Sequence, residues 1–495
     1  MDKTAGHPIT HPHERRARRA SNLRRVMRIS TTDGLFATQY ANLTTGTFLA
    51  TFLLALGASE FLIGLIAALP LLGGLVQPVG AEIIRRRGGY RKSILIAAAL
   101  VDDLLWLVSL SAVVVLDTKT ALAILACVLA IQQAAGAVVA VSWTSWISDL
   151  IPPGVRGRYF GRRNFICHGF GAVTAAAAGL LVRTFGQDIV VFVALIATGV
   201  VLRLASIYFL SRQPETQPAR SPAGPVLAQF SKPLRIAGFR RFLAYGMAWG
   251  FAVQLSAPFF TVYMIRDAGV GVDAVLLFAA LGTISNLLGQ RLWGPLADRY
   301  GEHQVMRVAG LSIALQPLWW IFTGPSGFGF YLMALLSMTG GFMWGGHLLA
   351  TGNLMMRLAP DMGRTSFFAV QAALGGLFGA AGPLIGGLIA QALASGWTVL
   401  PGTLFAGLKM LFVISFLLRL VAWGLLHRVP QGVDRPRLRA VYLLRDAART
   451  FNPAQGFSPL LHVFTLGREA ARRTSGRHGT ISGSGDGAAE SDRPR

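Results

Sequence analysis

The chain has 495 residues, of which 53% are hydrophobic and only 14% charged, and its mean hydropathy is +0.52. A soluble chain of this length needs far more charge to coat its surface, so most outward-facing side chains must meet lipid. The net charge of +24 (46 Lys and Arg against 22 Asp and Glu) sits in a leader, alternate loops and a tail, at the edges of apolar stretches. That placement suits anionic lipid at a membrane surface and argues against a nucleic-acid partner.

Residues 1–32 form a basic leader, and its segment 12–28, with interspersed apolar residues, suits lying flat on an anionic membrane. The first apolar run starts near Asp33, is too long for a signal peptide, and lacks a small-residue cleavage context. Crossing about 30 Å of hydrocarbon takes about 20 helical residues. Runs of that size fall at 34–57, 61–81, 93–116, 120–147, 165–184 and 188–210. A polar, basic linker at 212–240 follows, then a second series at 241–264, 273–296, 304–323, 327–352, 364–393 and 404–427. The reading is an all-α membrane protein of twelve spans, organised as bundles at 33–211 and 241–428 with a basic tail at 429–495. Residues 474–495, almost without apolar side chains, are expected to be disordered.

Loop charge orients the chain. The leader, the loop after the second span (Arg85, Arg86, Arg87, Arg91, Lys92), the loop after the fourth (Arg156, Arg158, Arg162, Arg163) and the linker are basic. The intervening loops hold Lys119, Arg183 and Arg266 beside Glu60, Asp117, Asp188, Asp267 and Asp273. Both termini and the linker are therefore expected on the cytoplasmic side.

The two halves repeat. A shift of 216 lays Leu202-Arg203-Leu204 on Leu418-Arg419-Leu420 and Arg212-x-Pro214 on Arg428-x-Pro430. A shift of 208 lays Pro152, Arg156, Tyr159 and Phe160 on Pro360, Arg364, Phe367 and Phe368, and one of 213 lays Arg86-Arg87-Gly88 on Arg299-Tyr300-Gly301. Parallel repeats of this kind are a feature of transporter folds.

At the end of the eighth span the chain reads Gly294-Pro-Leu-Ala-Asp298-Arg299-Tyr300-Gly301. This resembles the G-x-x-x-D-R-x-G signature of the major facilitator superfamily, and with the six-plus-six repeat the resemblance covers roughly 30–430. It implies alternating access, one six-helix half rocking against the other around a central site. Gly294, Asp298, Arg299 and Gly301 would then form a charged latch that holds and releases the halves. The first-half loop, with Arg86 and Gly88, has Arg85 where the signature has its Asp, and Glu82 lies nearby but out of register. The segment from Asp149 to Arg163 resembles the corresponding loop of bacterial members, which points to a cytoplasmic (inner) membrane.

The eleventh span carries Gly379-Ala-Ala-Gly382-Pro383-Leu-Ile-Gly386-Gly387, a small-residue face for close helix packing. Proton-linked drug exporters of the superfamily carry a similar motif in the fifth span. Here those positions are Thr174, Ala175, Ala178 and Gly179, so that hallmark is absent.

Polar groups within spans are functional candidates. The resemblance implies a cavity lined by the first, fourth, seventh and tenth spans. Candidate substrate-binding residues there are Asn42, Gln132, Gln133, Gln254, Trp344 and His347, with Asn42 and Gln254 matching at a shift of 212. Each amide could equally serve an interhelical hydrogen bond, and His347 could be a packing histidine or take up a proton. Asp102 and Asp103, in the middle of the third span, are the candidates for proton coupling, although that span is peripheral in this fold. Adjacent helical positions point about 100° apart, so the two should have different partners. Snorkelling or carbonyl capping accounts for Arg203 and Arg419.

No phosphate-binding Gly-Lys-Ser/Thr loop, no HExxH and no recognisable catalytic set occur, so neither an ATP-driven pump nor an enzyme is indicated and no cofactor is expected. Cys127 and Cys167 suggest neither a disulfide framework nor a metal site, and His7, His11 and His13 lie in the leader. The expected partner is a small-molecule solute, bound by a monomer. A lipid or lysolipid transporter and a non-transporting receptor or scaffold are the rival readings.

Overall fold

The computed structural model describes residues 12–86, 90–215, 233–358, 364–394 and 407–430. The first eleven residues, Gly88 and the tail from 431 onward lie outside the described residues. Among those described, eleven helices are long and apolar enough to cross a membrane. The twelfth span is the first one, which is divided in two.

We number the spans α1 (Pro12–Thr44 with Gly46–Ala55), α2 (Glu60–Arg86), α3 (Lys92–Val115), α4 (Thr118–Leu150), α5 (Pro153–Phe185) and α6 (Ile189–Ser211). The second series is α7 (Ala237–Gln254, Phe259–Val262 and a π turn at Tyr263–Asp267), α8 (Val272–Tyr300), α9 (Glu302–Trp319), α10 (Gly327–Leu358), α11 (Arg364–Ala394) and α12 (Leu408–Leu425).

Two helices break, each for a local reason. In α1 the hydroxyls of Thr44 and Thr45 bond back to the carbonyls of Tyr40 and Ala41 at 2.7 Å each, and Gly46 takes φ +61°. A hydroxyl competing for helical carbonyls beside a left-handed glycine ends the regular helix. In α7, Pro258 cannot donate to the carbonyl of Gln254, and the chain turns through 255–258. Thr45 and Ala257, one in each break, are 212 residues apart, the offset that also superposes Asn42 on Gln254.

Two expectations need correction. Residues 12–28 do not form a separate surface segment, because one helix runs without interruption from Pro12 to Thr44. Its Val26 packs on Ile147, Ile151 and Tyr159, and Gln213 donates to the Val26 carbonyl at 3.1 Å. Arg156, Arg158, Arg162 and Arg163 are helical rather than in a loop. The Pro152-Pro153 pair starts α5 well before its apolar stretch, and proline suits a first helical turn, where its missing N–H is not needed. Arg156 then caps the end of α4, donating to the carbonyls of Ser148 at 2.6 Å and Ile151 at 3.1 Å.

The packing repeats with the sequence. In the first bundle α1 packs on α5 and α6, α4 on α2 and α3, and α3 on α6. In the second, α7 packs on α11 and α12, α10 on α8 and α9, and α9 on α12. Each pair in one bundle has its counterpart in the other. The bundles meet along α2–α11 and α5–α8, which are again exchanged by the repeat.

Small residues make that junction possible. A Cβ on Gly64 or Gly74 of α2 would collide with the carbonyls of Pro383 or Ala372 on α11, and one on Gly376 with that of Leu71. On its other face α11 sets Gly382 and Gly386 against the α7 backbone at Phe251 and Leu255. The Gly-rich face of α11 is thus used for close approach on two sides. Large apolar side chains on the periphery, such as Val115, Val190 and Phe328, are about three-quarters exposed, as lipid-facing groups should be.

Candidate functional site

Three groups of side chains lie where the bundles or their helices could act on a solute: a central set, a buried polar group in the first bundle, and charged residues at the two ends.

The central set draws on α1, α4, α7 and α10. The long segments of these helices pack on other helices of their own bundles, whereas the short segments Gly46–Ala55 of α1 and Phe259–Val262 of α7 meet each other. Gln133 and Gln254 are half-buried and make no side-chain hydrogen bond among the described residues. Of the four candidate amides, these two are available to a ligand. Asn42 instead donates to the Thr38 carbonyl at 2.8 Å and sits over Gly171 of α5. Gln132 is buried and donates to the Asp102 carbonyl of α3 at 2.7 Å, leaving its own carbonyl oxygen without a partner.

Trp344 and His347 share a face of α10, as their three-residue spacing requires, and meet Tyr245 and Trp249 of α7. His347 stacks on Trp249 with centroids 4.9 Å apart, and its Nε2 lies 2.8 Å from the Tyr245 hydroxyl. Trp344 packs edge-on to His347 at 5.5 Å and is itself only partly buried. Gly310 of α9 packs against this group, where an added Cβ would lie 3.7 Å from His347 and 3.8 Å from Trp249. The Nδ1 of His347 and the indole N–H of Trp249 are buried without partners. Tyr245 and Trp249 were not among the sequence candidates. Their four-residue spacing on α7 was the available signal.

The polar group in the first bundle joins α1, α3, α4 and α6. The Tyr40 hydroxyl donates to Asp102 at 3.2 Å and accepts from the Trp106 indole at 3.1 Å, while the Arg203 guanidinium lies 5.4 Å from the centre of the Tyr40 ring. Asp103 is fully buried, and neither of its oxygens has a partner. The two carboxyls face different surroundings, as their positions on a helix require. Nearby, Asp33 accepts from Ser206 at 2.6 Å and lies 4.0 Å from Arg163, which stacks over Trp143.

Arg203 and Arg419 are both buried, at 7% and 2% exposure, so snorkelling does not describe them. Arg419 donates to the carbonyls of Ile313 at 3.0 Å and Val253 at 3.3 Å and to the hydroxyls of Ser256 and Ser415. The Ile313 carbonyl is the one that Pro317 deprives of its helical partner. Arg419 therefore ties the break in α7 to the proline site in α9.

At the end that carries the α1–α2 loop, ion pairs cross between the bundles. Arg266, at the end of α7, pairs with Glu60 at the start of α2 and donates to the Ala58 carbonyl. Arg183, at the end of α5, lies 3.7 Å from Asp273 at the start of α8. Glu60 and Asp273 are 213 residues apart, so equivalent acids of the two repeats each hold a cation of the opposite bundle. One apolar core shared by both bundles, including Phe52, Ile63, Phe259 and Val272, lies with them. Sequence reasoning passed over this pairing, although the offset could have revealed it.

The signature segment is at the other, basic end. Gly301, at φ +89°, makes the sharp passage from α8 to α9, where a side chain would be strained. Asp298 and Arg299 are exposed on the last turn of α8, with Arg299 over the Tyr300 ring, and Gly294 lies a turn earlier. In the first half Glu82 binds Arg86 of its own helix at 2.7 Å. Within each bundle an ion pair joins corresponding ends with its charges reversed: Arg91 with Asp149, and Glu302 with Arg357 at 2.9 Å.

The model of the Major Facilitator Superfamily matches residues 34–346, well over half of the chain. The chain belongs to the major facilitator superfamily. Solved members of similar fold include the nucleoside transporter NupG (13% identity, 81% of this chain and 98% of that one, TM-score 0.59). A D-xylose-proton symporter (16%, 83% and 98%, 0.63) and the inward-open xylose transporter XylE of E. coli (15%, 86% and 99%, 0.60) are also similar. At these identities the likeness establishes the superfamily fold. A multi-drug resistance efflux pump, PmrA of Streptococcus pneumoniae, is 36% identical over 86 residues, which is 17% of this chain and 20% of that protein. The chain is thus a multi-pass membrane protein of a transporter superfamily.

Proposed function

We propose that this chain is a secondary transporter that moves a small organic solute across the cytoplasmic membrane by alternating access. The observation that carries the reading is the pair of repeat-related ion pairs, Glu60–Arg266 and Asp273–Arg183, closing one end of two bundles that otherwise meet along α2–α11 and α5–α8. Exchangeable, charged cross-contacts at one end of a two-fold repeat are what a rocking mechanism needs. The basic end, with the leader, the linker and the signature segment, faces the cytoplasm by the distribution of Lys and Arg. Gly294, Asp298, Arg299 and Gly301, with Arg86 at the end of α2, are the residues we assign to the latch of that end, and Gly88 lies outside the described residues. The conformation described here is then the one closed to the outside.

Gln133 and Gln254, half-buried amides that make no side-chain hydrogen bond among the described residues, and the partly open Trp344 are the groups we assign to the solute, with His347 and Trp249 backing the indole. Asn42 and Gln132 serve helix contacts. A mostly neutral lining suits an uncharged, zwitterionic or amphipathic molecule, held by amide hydrogen bonds and by stacking. The match to an efflux pump makes export the direction to test first.

A thermal-stability screen of the purified chain against sugars, nucleosides, amino acids, drugs and lysolipids tests this. A solute at a hundredfold excess over its Kd stabilises the native state by about 2.7 kcal/mol. Gln133→Ala or Gln254→Ala should weaken that solute by about tenfold, one hydrogen bond's worth, without lowering the stability of the empty protein. Stabilisation by lysolipids alone would instead favour a lipid transporter, and no response to any class would leave the solute site unsupported.

A further inference from the structure

We propose that Asp103 is a proton-binding site inside the first bundle, and that the proton it takes and releases is the coupling ion of transport. The coupling role rests on the transporter reading; the proton itself can be observed without any solute.

Asp103 has no exposed surface, and both of its carboxylate oxygens lack partners. An ionised carboxylate left in that state costs several kcal/mol, and a bound proton removes most of the cost. Two other buried polar atoms of this group are also unpartnered: the Arg203 Nε, and the carbonyl oxygen of Gln132, whose side chain is bonded to the carbonyl of the adjacent Asp102. A protonated Asp103 would be a donor in a place that otherwise offers Gln132 only an unmet acceptor.

The charges point the same way. The charged groups that act on Asp103 are Arg203 from α6 and Asp102 on the same helix, with the Tyr40 hydroxyl of α1 within electrostatic reach, while the uncharged Gln132 of α4 is bonded to the Asp102 carbonyl. Asp33, a short way along α1, is already bound to Ser206 and close to Arg163. The buried Asp33 and Asp103 and the half-buried Asp102 thus stand against the buried Arg203 and the half-buried Arg163, an excess of one negative charge that a single proton neutralises. A metal ion fits poorly, since it would gather few oxygens here and sit beside a guanidinium.

The second bundle supplies the contrast. Arg419, the repeat counterpart of Arg203, is satisfied by carbonyls and hydroxyls, with no acid among its partners. The scaffold therefore has a purely neutral way of housing an arginine at this position, and the acids of the first bundle are an addition to it. They also lead to the break in α1. Asp102 is bound to Tyr40, one turn before the break at Thr45–Gly46 in α1. Charging Asp103 would compete for Arg203 and change the setting of Tyr40 next to that hinge.

Infrared difference spectroscopy of the full chain in proteoliposomes, titrated with acid and base, reads the proton. A protonated-carboxyl band should appear on acidification, vanish in Asp103→Asn, survive in Asp102→Asn, and return shifted in Asp103→Glu. A band unchanged in Asp103→Asn, no titrating carboxyl at all, or a band abolished by sodium would overturn the assignment. Spin labels at Val190 and Phe328, exposed at one end on opposite bundles, read the coupling. Their distance distribution should shift with pH in the parent protein and lose that response in Asp103→Asn. A titrating band with a pH-independent distance would leave a structural proton and refute the coupling role.

Discussion

Arg203 and Arg419 stand at equivalent places in the two repeats, yet their surroundings differ completely. Arg419 holds backbone carbonyls at the α7 break and at the Pro317 site, and a buried guanidinium in that role cannot be replaced by an apolar chain without leaving those carbonyls unmet. Arg419→Met should therefore destabilise the protein by about 3–5 kcal/mol, read as a lower unfolding temperature in detergent, while the solute preference of any surviving protein stays unchanged. Both arginines were legible in the sequence as a repeated Leu-Arg-Leu. Their burial was not, because position within a span does not say whether a long side chain turns toward lipid headgroups or toward a neighbouring helix. For Asp102 and Asp103 the reverse holds. Their cost in hydrocarbon singled them out, and their adjacency implied separate partners: Asp102 accepts from Tyr40, whereas the buried Asp103 carboxylate has no hydrogen-bond partner.

At the scale of helices, the apolar runs placed most of the twelve helices within a few residues, since about 20 residues must cross the hydrocarbon, but not the starts of α1 at Pro12 and α5 at Pro153. What hydropathy could not show was where helices outlast the membrane or break within it. Pro152-Pro153 and the capping of α4 by Arg156 extend α5 through a charged segment, and hydroxyls beside Gly46 interrupt α1 inside an apolar one. The cross-bundle pairs belong to this scale. Glu60→Arg or Arg266→Glu alone should loosen the end they close, and the double exchange should restore it. Partly exposed pairs contribute only about 0.2–1 kcal/mol. The expected change is therefore a redistribution of about fivefold at most between closed and open populations, seen as a broadened distance between labels at Val190 and Phe328. An identical distribution in the single and double variants would remove these pairs from the gate.

For the whole molecule, the apolar runs gave the six-plus-six plan, the Gly294–Gly301 signature gave the superfamily resemblance, and the exchange of corresponding helices followed from the repeat. The pairings α2–α11 and α5–α8 did not, because small residues permit close approach without naming the partner. Which candidates are free to meet a solute was legible only in part. The sequence supplied six polar and aromatic positions, and the structure separates Gln133, Gln254 and Trp344, which remain open, from Asn42 and Gln132, which are committed to neighbouring helices.

Two distances in one protein test the rocking of the bundles most directly. One is measured between labels at Val190 and Phe328. The other is measured between labels at Arg158 and Met356, on opposite bundles at the basic end. Alternating access predicts two populations in which one distance lengthens as the other shortens, with the balance shifted by solute or pH. A single population at both ends, unmoved by pH, by any solute that stabilises the protein, and by the Glu60→Arg change, would contradict it.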